Sequence, residues 1–137
     1  MKQKIMEICE SVIADDELDT QNSKNIEAAH AIPCLWISTQ QTEYKLYLHK
    51  LRYIETNNRQ LVIHYGNELI PYNGKLLDFQ RYLPDTFFRC NNSYIVNIDY
   101  IERIQKDINR YTIHLISGEQ LPLSRDKKNA LKNKWRL

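Results

Sequence analysis

The stretch Phe87–Asn97, FFRCNNSYIVN, is the part of this 137-residue chain that decides its fold. Five of its eleven residues are aromatic or β-branched, and such residues favour strands. Its second half, together with the residues that follow, predicts strand structure from Ser93 to Ile104, with a break near Asn97–Asp99. The chain around this block therefore forms short strands and not one long element.

A helix is predicted directly before this block. Residues 74–83 (GKLLDFQRYL) place Leu76, Phe79 and Leu83 on one helical face. Pro84 follows them, and a proline at this point is typical of a helix end.

Turn signals on either side predict further short strands. Gly66-Asn67 separates LVIHY from ELIPY, and Ser117-Gly118 separates YTIHLI from EQLPLS. Both pairs are typical of tight hairpins. CLWISTQ and YKLYLHKLRYIET also read as strands, with Leu46 and Leu48 on one face. The sequence therefore predicts a mainly β fold of short antiparallel strands with one mid-domain helix.

The two ends of the chain are predicted to be helical. The tail, Asp126–Trp135, is basic, with Ser124 as its N-cap and with Leu131 and Trp135 facing inward. At the other end, Lys2–Leu18 has helical spacing, and residues 26–32 extend a second short helix. We therefore predict an N-terminal helical extension over residues 1–33 and a domain over residues 34–137. The extension either packs on the domain as an arm or makes a dimer or partner contact.

Composition and charge limit the class of protein. Hydrophobic residues make up 42% and charged residues 26%, as in ordinary globular proteins. Residues 1–34 hold three basic and seven acidic residues, a net charge of −4, while residues 35–137 hold the other 16 basic and 10 acidic residues, a net charge of +6. A basic body fits a polyanion partner. No apolar stretch is long enough to span a membrane, and no signal peptide is evident. The three cysteines are not clustered, which suits free thiols. We therefore expect a cytoplasmic protein.

Signatures of catalysis and of metal binding are missing from the sequence. It has no glycine-rich phosphate loop, no nucleophile elbow and no His-Glu-x-x-His motif. The four histidines stand far apart, and His64 and His114 lie in predicted strands, where a structural role is favoured. We expect neither an enzyme nor a cofactor or metal site.

Four segments in order resemble the LytTR family of bacterial DNA-binding regulators. FFRCNNSYIVN is similar to its hallmark aromatic-Arg-x-x-x-Ser-x-x-Val-Asn block, and SGEQLPLSRDKK to its closing element. RYIETNNRQLVIHY and LLDFQRYLP match the segments expected upstream. The resemblance covers nearly everything after Pro33. It implies an elongated β-fold that places loops in the grooves of double-stranded DNA and binds short direct repeats in promoters.

The resemblance also implies roles for individual residues. Arg59, Asn92 and Arg125 fall where the family reads bases, and arginine and asparagine suit guanine and adenine edges. Four further residues are assigned to the DNA backbone, namely Asn91, Ser93, Lys127 and Lys128. The alternative for these positions is an ordinary solvated turn or helix start. Many relatives carry a histidine or a basic residue where this chain has the neutral pair Asn91-Asn92, which weakens the charge of this loop.

Three neighbours of these residues receive structural interpretations. Arg89 is expected to support the loop beside it, and Asn97 to bond the local backbone at the strand break. Cys90 has two interpretations. Arg89 beside it would lower the pKa of the thiol and permit redox sensing, whereas a half-buried structural thiol is the favoured alternative.

The kind of regulator follows from length. A receiver domain needs on the order of a hundred residues, and only 33 precede the domain, so we expect a stand-alone member without phosphorylation in cis. Its activity would then depend on abundance, on a homodimer that forms either in solution or only on DNA, or on a protein partner of the N-terminal extension. The competing interpretation is a protein-interaction module with weak or lost DNA binding, which modulates another regulator.

Overall fold

The computed structural model describes residues 4–12 and 31–136, with side chains from Ile32 onward. The chain divides into two compact units, residues 1–50 and residues 51–137. The predicted domain bounds at residues 33 and 34 stay a prediction.

The first unit contains a three-stranded antiparallel sheet in the order β1-β2-β3. Its strands are β1 (Lys4–Val12), β2 (Ala31–Ser38) and β3 (Glu43–Tyr47). Leu35 of β2 lies opposite Leu46 of β3, and both are fully buried. Leu48, in the 3-10 turn that follows, is also buried, as its pattern with Leu46 predicts.

The predicted N-terminal helix is wrong over Lys4–Val12, which form β1. The backbone of β1 pairs with the whole of β2, from Lys4 opposite Ser38 to Val12 opposite Ala31. This long-range pairing satisfies the same N–H and C=O groups that a helix would satisfy locally, and it overrides the helical spacing of the apolar residues. The second predicted helix is likewise replaced by strand at Ala31 and Ile32, and the rest of both helices lies outside the described residues.

The second unit contains two antiparallel sheets. The larger has the order β6-β5-β4-β8-β7 and the smaller the order β11-β10-β9. The strands of the larger sheet are β4 (Leu51–Asn57), β5 (Gln60–Tyr65), β6 (Glu68–Tyr72), β7 (Phe87–Asn91) and β8 (Tyr94–Asn97). Those of the smaller sheet are β9 (Ile101–Lys106), β10 (Tyr111–Leu115) and β11 (Gln120–Leu123).

Both predicted helices of the second unit are present. They are α1 (Leu76–Tyr82) and α2 (Lys128–Trp135), and a 3-10 turn, Arg125–Lys127, leads into α2. Phe79 of α1 and Leu131 of α2 are fully buried, in agreement with their predicted inward faces. No helix in the described part of the chain is long and apolar enough to cross a membrane.

The predicted strands on either side of the break are present as β8 and β9, and β7 is a strand that the local pattern does not predict. β8 ends at Asn97, a 3-10 turn covers Ile98–Tyr100, and β9 begins at Ile101. The Asn97 carboxamide oxygen accepts from the N–H of Asp99 at 3.0 Å, and its nitrogen donates to the carbonyl of Leu51 at 2.9 Å. Asn97 therefore bonds the local backbone, as predicted, and also ties β8 to the start of β4. The mainly β fold is confirmed.

Candidate nucleic-acid interface

Four chain segments of the second unit meet at one edge, which we call the loop face. Hydrogen bonds of residues in or directly beside these segments link them to one another. The N–H of Thr56 donates to the carbonyl of Ser93 at 2.9 Å, and the N–H of Ser124 donates to that of Cys90, also at 2.9 Å. The segments are the β4–β5 turn (58–59), the β7–β8 turn (92–93), the segment after β11 (124–128) and the β9–β10 loop (107–110).

Arg59 stands in the β4–β5 turn. Asn58 and Arg59 both have positive φ, 53° and 70°, as a two-residue hairpin turn requires. Asparagine accepts this conformation readily, whereas arginine adopts it at a cost on the order of 1 kcal/mol. The Arg59 side chain is exposed and has no hydrogen-bond partner among residues 32–136. Its guanidinium is therefore available to a ligand.

Arg89 supports the β7–β8 turn from below. Its Nε donates to the carbonyl of Asn91 at 3.1 Å, and Nη2 donates to that of Asn92 at 2.9 Å. Nη1 donates to Oε1 of Gln80 on α1 at 3.0 Å. A planar fork of donors suits three acceptors held in different directions. Arg89 therefore has the structural role that the sequence predicts.

Both ends of the Asn91 amide form hydrogen bonds within the protein. Its Oδ1 accepts from the N–H of Ser93 at 2.6 Å, which closes an Asx-type turn. Its Nδ2 donates to the carbonyl of Pro122 on β11 at 2.6 Å. Asn91 thus positions the turn against the smaller sheet, while Asn92 is exposed at the tip and Ser93 is half-buried.

Arg125 begins the segment that leads into α2. It is exposed, and its Nη2 donates to the carbonyl and to Oδ1 of Asn109, at 3.1 and 3.3 Å. These contacts hold one end of the guanidinium against the β9–β10 loop. Ser124 occupies the N-cap position of the 3-10 turn, but its side chain makes no capping hydrogen bond. The predicted cap is therefore absent.

Lys127 and Lys128 differ in their surroundings, although they are adjacent. Lys128 Nζ donates to the hydroxyl of Tyr111 at 2.9 Å and lies 4.8 Å from the centre of its ring. This hydrogen bond lowers the pKa of Tyr111, because it stabilises the phenolate. Lys127 is half-buried and precedes the first residue of α2. The two ammonium groups add positive charge to the loop face beside Arg125.

Cys90 lies under the β7–β8 turn and is fully buried. Burial raises the pKa of its thiol to about 12, and the positive charges of Lys127 and Arg89 only partly offset this effect. The charge of Arg89 lowers the pKa, as expected, but the expected net shift towards the thiolate is wrong, because desolvation of the thiolate outweighs the nearby charge. The structure favours the interpretation of Cys90 as a structural thiol, buried more completely than expected.

The two histidines of the strands have protein partners. His64 Nε2 lies 2.7 Å from Oε2 of Glu55, and its ring stacks on Tyr53 with 3.9 Å between centroids. His114 Nε2 lies 2.7 Å from Oε1 of Gln105. Both therefore have the structural role predicted for them. Within the described ranges, no three histidine, cysteine or acidic residues cluster as a metal site would require.

Sequence reasoning missed the β9–β10 loop and its contact with Arg125. The sequence indicates the loop in part, since DINR (107–110) separates two strand-like runs. Nothing local indicates that Asn109 would meet a residue 16 positions further along the chain.

A sequence profile identifies the family. Residues 42–136 match the profile of the LytTr DNA-binding domain. The chain belongs to the LytTR family. Its members' shared domain is a DNA-binding domain of transcriptional regulators, so the loop face belongs to a domain of this kind. Among curated proteins, none matches the chain.

A solved structure has the same LytTR fold. It is the LytTr DNA-binding domain of a protein described as a methyl-accepting/DNA response regulator from Bacillus cereus. The two superpose with a TM-score of 0.63 at 20% sequence identity, over 73% of this chain and 94% of that one. At this identity the likeness supports the fold alone.

Proposed function

We propose that this LytTR-family chain is a sequence-specific transcription regulator that reads short direct repeats by placing its loop face in the grooves of DNA. The observation that carries the proposal is that Arg59, Asn92 and Arg125 are exposed on three segments which hydrogen bonds of adjoining residues link to one another. These side chains offer the donors and acceptors that base edges recognise. They stand on turns of a packed sheet structure, which holds them in a defined arrangement.

The remaining residues of the loop face divide between contact and support. We assign Lys127, Lys128 and Ser93 to phosphate groups, which set the register of the protein without reading sequence. Asn91 is assigned to support, because both ends of its amide are already bonded within the protein. The positive charge at the start of α2 opposes the helix dipole, and a phosphate nearby would offset that repulsion.

Selection from a random pool of duplexes, followed by fluorescence anisotropy, tests this proposal. Wild-type protein should enrich duplexes with a short direct repeat and bind them more weakly as salt rises. Arg125→Ala should lose about tenfold to a hundredfold in affinity for the selected duplex, and little for a scrambled one, because a bidentate guanine contact carries discrimination. Arg103→Ala is the matched control, since Arg103 is exposed on β9 and pairs with Glu102.

A failure to enrich any duplex would favour the interaction-module alternative. In that alternative the acidic N-terminal segment competes for the basic loop face. Deleting residues 1–33 is a poor test, because it would remove β1 and leave β2 unpaired along one edge. A full-length variant with amides at Asp15, Asp16, Glu17 and Asp19 keeps the strand. Recovery of DNA binding in that variant would support competition by the acidic segment.

A further inference from the structure

The β9–β10 loop is a tight turn that projects from the smaller sheet at the loop face. The N–H of Asp107 donates to the carbonyl of Arg110 at 2.9 Å, which closes the turn. Lys106 and Tyr111, on either side, are paired in register between β9 and β10. The loop therefore has a defined conformation on a paired strand base.

Asn109 fixes this loop beside Arg125. Both its carbonyl and its Oδ1 accept from Nη2 of Arg125, at 3.1 and 3.3 Å. The residue next to Asn109 in the turn is therefore one position along the chain from the contact with the Arg125 guanidinium.

That neighbour is Ile108, whose side chain is 96% exposed. It is the most exposed of the large hydrophobic residues in the part of the chain that the structure describes. Exposed Lys106 and Arg110 flank it, with one acid, Asp107, in the same turn. An apolar tip with cations on both sides is complementary to DNA, which offers phosphates around apolar groups in the groove.

We propose that the β9–β10 loop is a further DNA-contacting element, in which Ile108 packs against a thymine methyl group beside the base pair read by Arg125. This inference rests on the proposed function. The thymine methyl is the apolar group that the major groove presents to a side chain. Asn109 is a positioning residue in this arrangement, since it orients the Arg125 guanidinium and sets the place of Ile108.

The test compares Ile108→Ser with Ile116→Ser on the duplex selected by the wild-type protein. Ile116 is a matched control because it is also exposed, at 63%, and lies at the opposite end of β10. Ile108→Ser should lose about tenfold in affinity, the effect expected from burying most of one isoleucine. Its salt dependence should equal that of the wild type, because no charge is removed. Ile116→Ser should bind as the wild type does.

Replacing single thymines of the duplex by deoxyuridine identifies the contact. At one position, replacing thymine by deoxyuridine should lower the affinity of the wild type. Ile108→Ser should bind the thymine and the deoxyuridine duplexes equally, because both changes remove the same contact in this double-mutant cycle. The inference is overturned if Ile108→Ser binds the duplex as tightly as Ile116→Ser does. It is also overturned if Ile108→Ser loses affinity but no single deoxyuridine replacement lowers the affinity of the wild type. If Arg125→Ala still loses affinity in that case, the proposed function stands without this loop. A wild type that selects no duplex overturns both.

Discussion

At the scale of single residues, burial outweighs neighbouring charge at Cys90. A thiol beside an arginine is favoured as a thiolate when water reaches it, but Cys90 has none of its surface exposed. We expect iodoacetamide at pH 8 to leave Cys90 unlabelled in the native protein and to label it in urea. Peptide mass spectrometry separates it from Cys9 and Cys34. Rapid native labelling of Cys90 would contradict the raised pKa.

The same residue contributes to the pH dependence of stability. Its pKa is about 12 in the folded protein, against an ordinary value of 9.0, so the folded state holds the proton more tightly. This contribution is complete below about pH 9 and is lost as the pH rises towards 12. Burial raises the pKa of Tyr53 and of Tyr72 to about 12 as well, so the stability that these two residues contribute is also lost as the pH rises towards 12. In urea unfolding at pH 8 to 11, Cys90→Ala should therefore lose stability less steeply than the wild type.

At the scale of elements, the β7–β8 turn depends on Arg89, which bonds two of its carbonyls and α1. Arg89→Ala should cost about 1–2 kcal/mol in free energy of unfolding, since the bonds are partly exposed. It should also speed hydrogen exchange at the Ser93 amide and weaken DNA binding. Arg89→Lys should restore little, because one ammonium group does not span three acceptors. Arg81→Ala, on the exposed side of α1, is the control, and unchanged exchange at Ser93 would refute the support role.

At the scale of the second unit, one ion pair joins its two sheets. Arg52 on β4 pairs with Glu119 of the β10–β11 loop, and their side chains are only 13% and 28% exposed. Arg52 Nη1 also donates to the Ser117 hydroxyl at 3.4 Å. Trp135 links α2 to the smaller sheet, because its Nε1 donates to the carbonyl of Ile101 on β9 at 3.3 Å.

Removing this ion pair should destabilise the unit without touching the loop face. Glu119→Gln leaves a largely buried guanidinium without its carboxylate, and we expect a loss of about 1–3 kcal/mol in urea unfolding. Glu102→Gln removes the partner of Arg103 in an exposed pair and should change stability by less than about 0.5 kcal/mol. Equal effects of the two substitutions would show that the Arg52 pair contributes nothing beyond a surface contact.

The sequence by itself determined what depends on local pattern. The apolar faces of α1 and α2, the turn at Gly66-Asn67, the hairpin at Ser117-Gly118 and the break after Asn97 follow from neighbouring residues, and all are present. The motif around Phe87–Asn97 also indicated the family, because a hallmark of this kind combines residue type with spacing.

Only the tertiary structure decided what depends on contacts between distant residues. β1 is a strand because β2 pairs with it, although its own apolar spacing is helical. Cys90 keeps its proton because other elements bury it, and Asn109 meets Arg125 because the β9–β10 turn lies beside the segment that follows β11. Local propensities amount to tenths of a kcal/mol per residue, whereas backbone pairing and burial amount to whole kcal/mol, so tertiary contacts prevail where the two disagree.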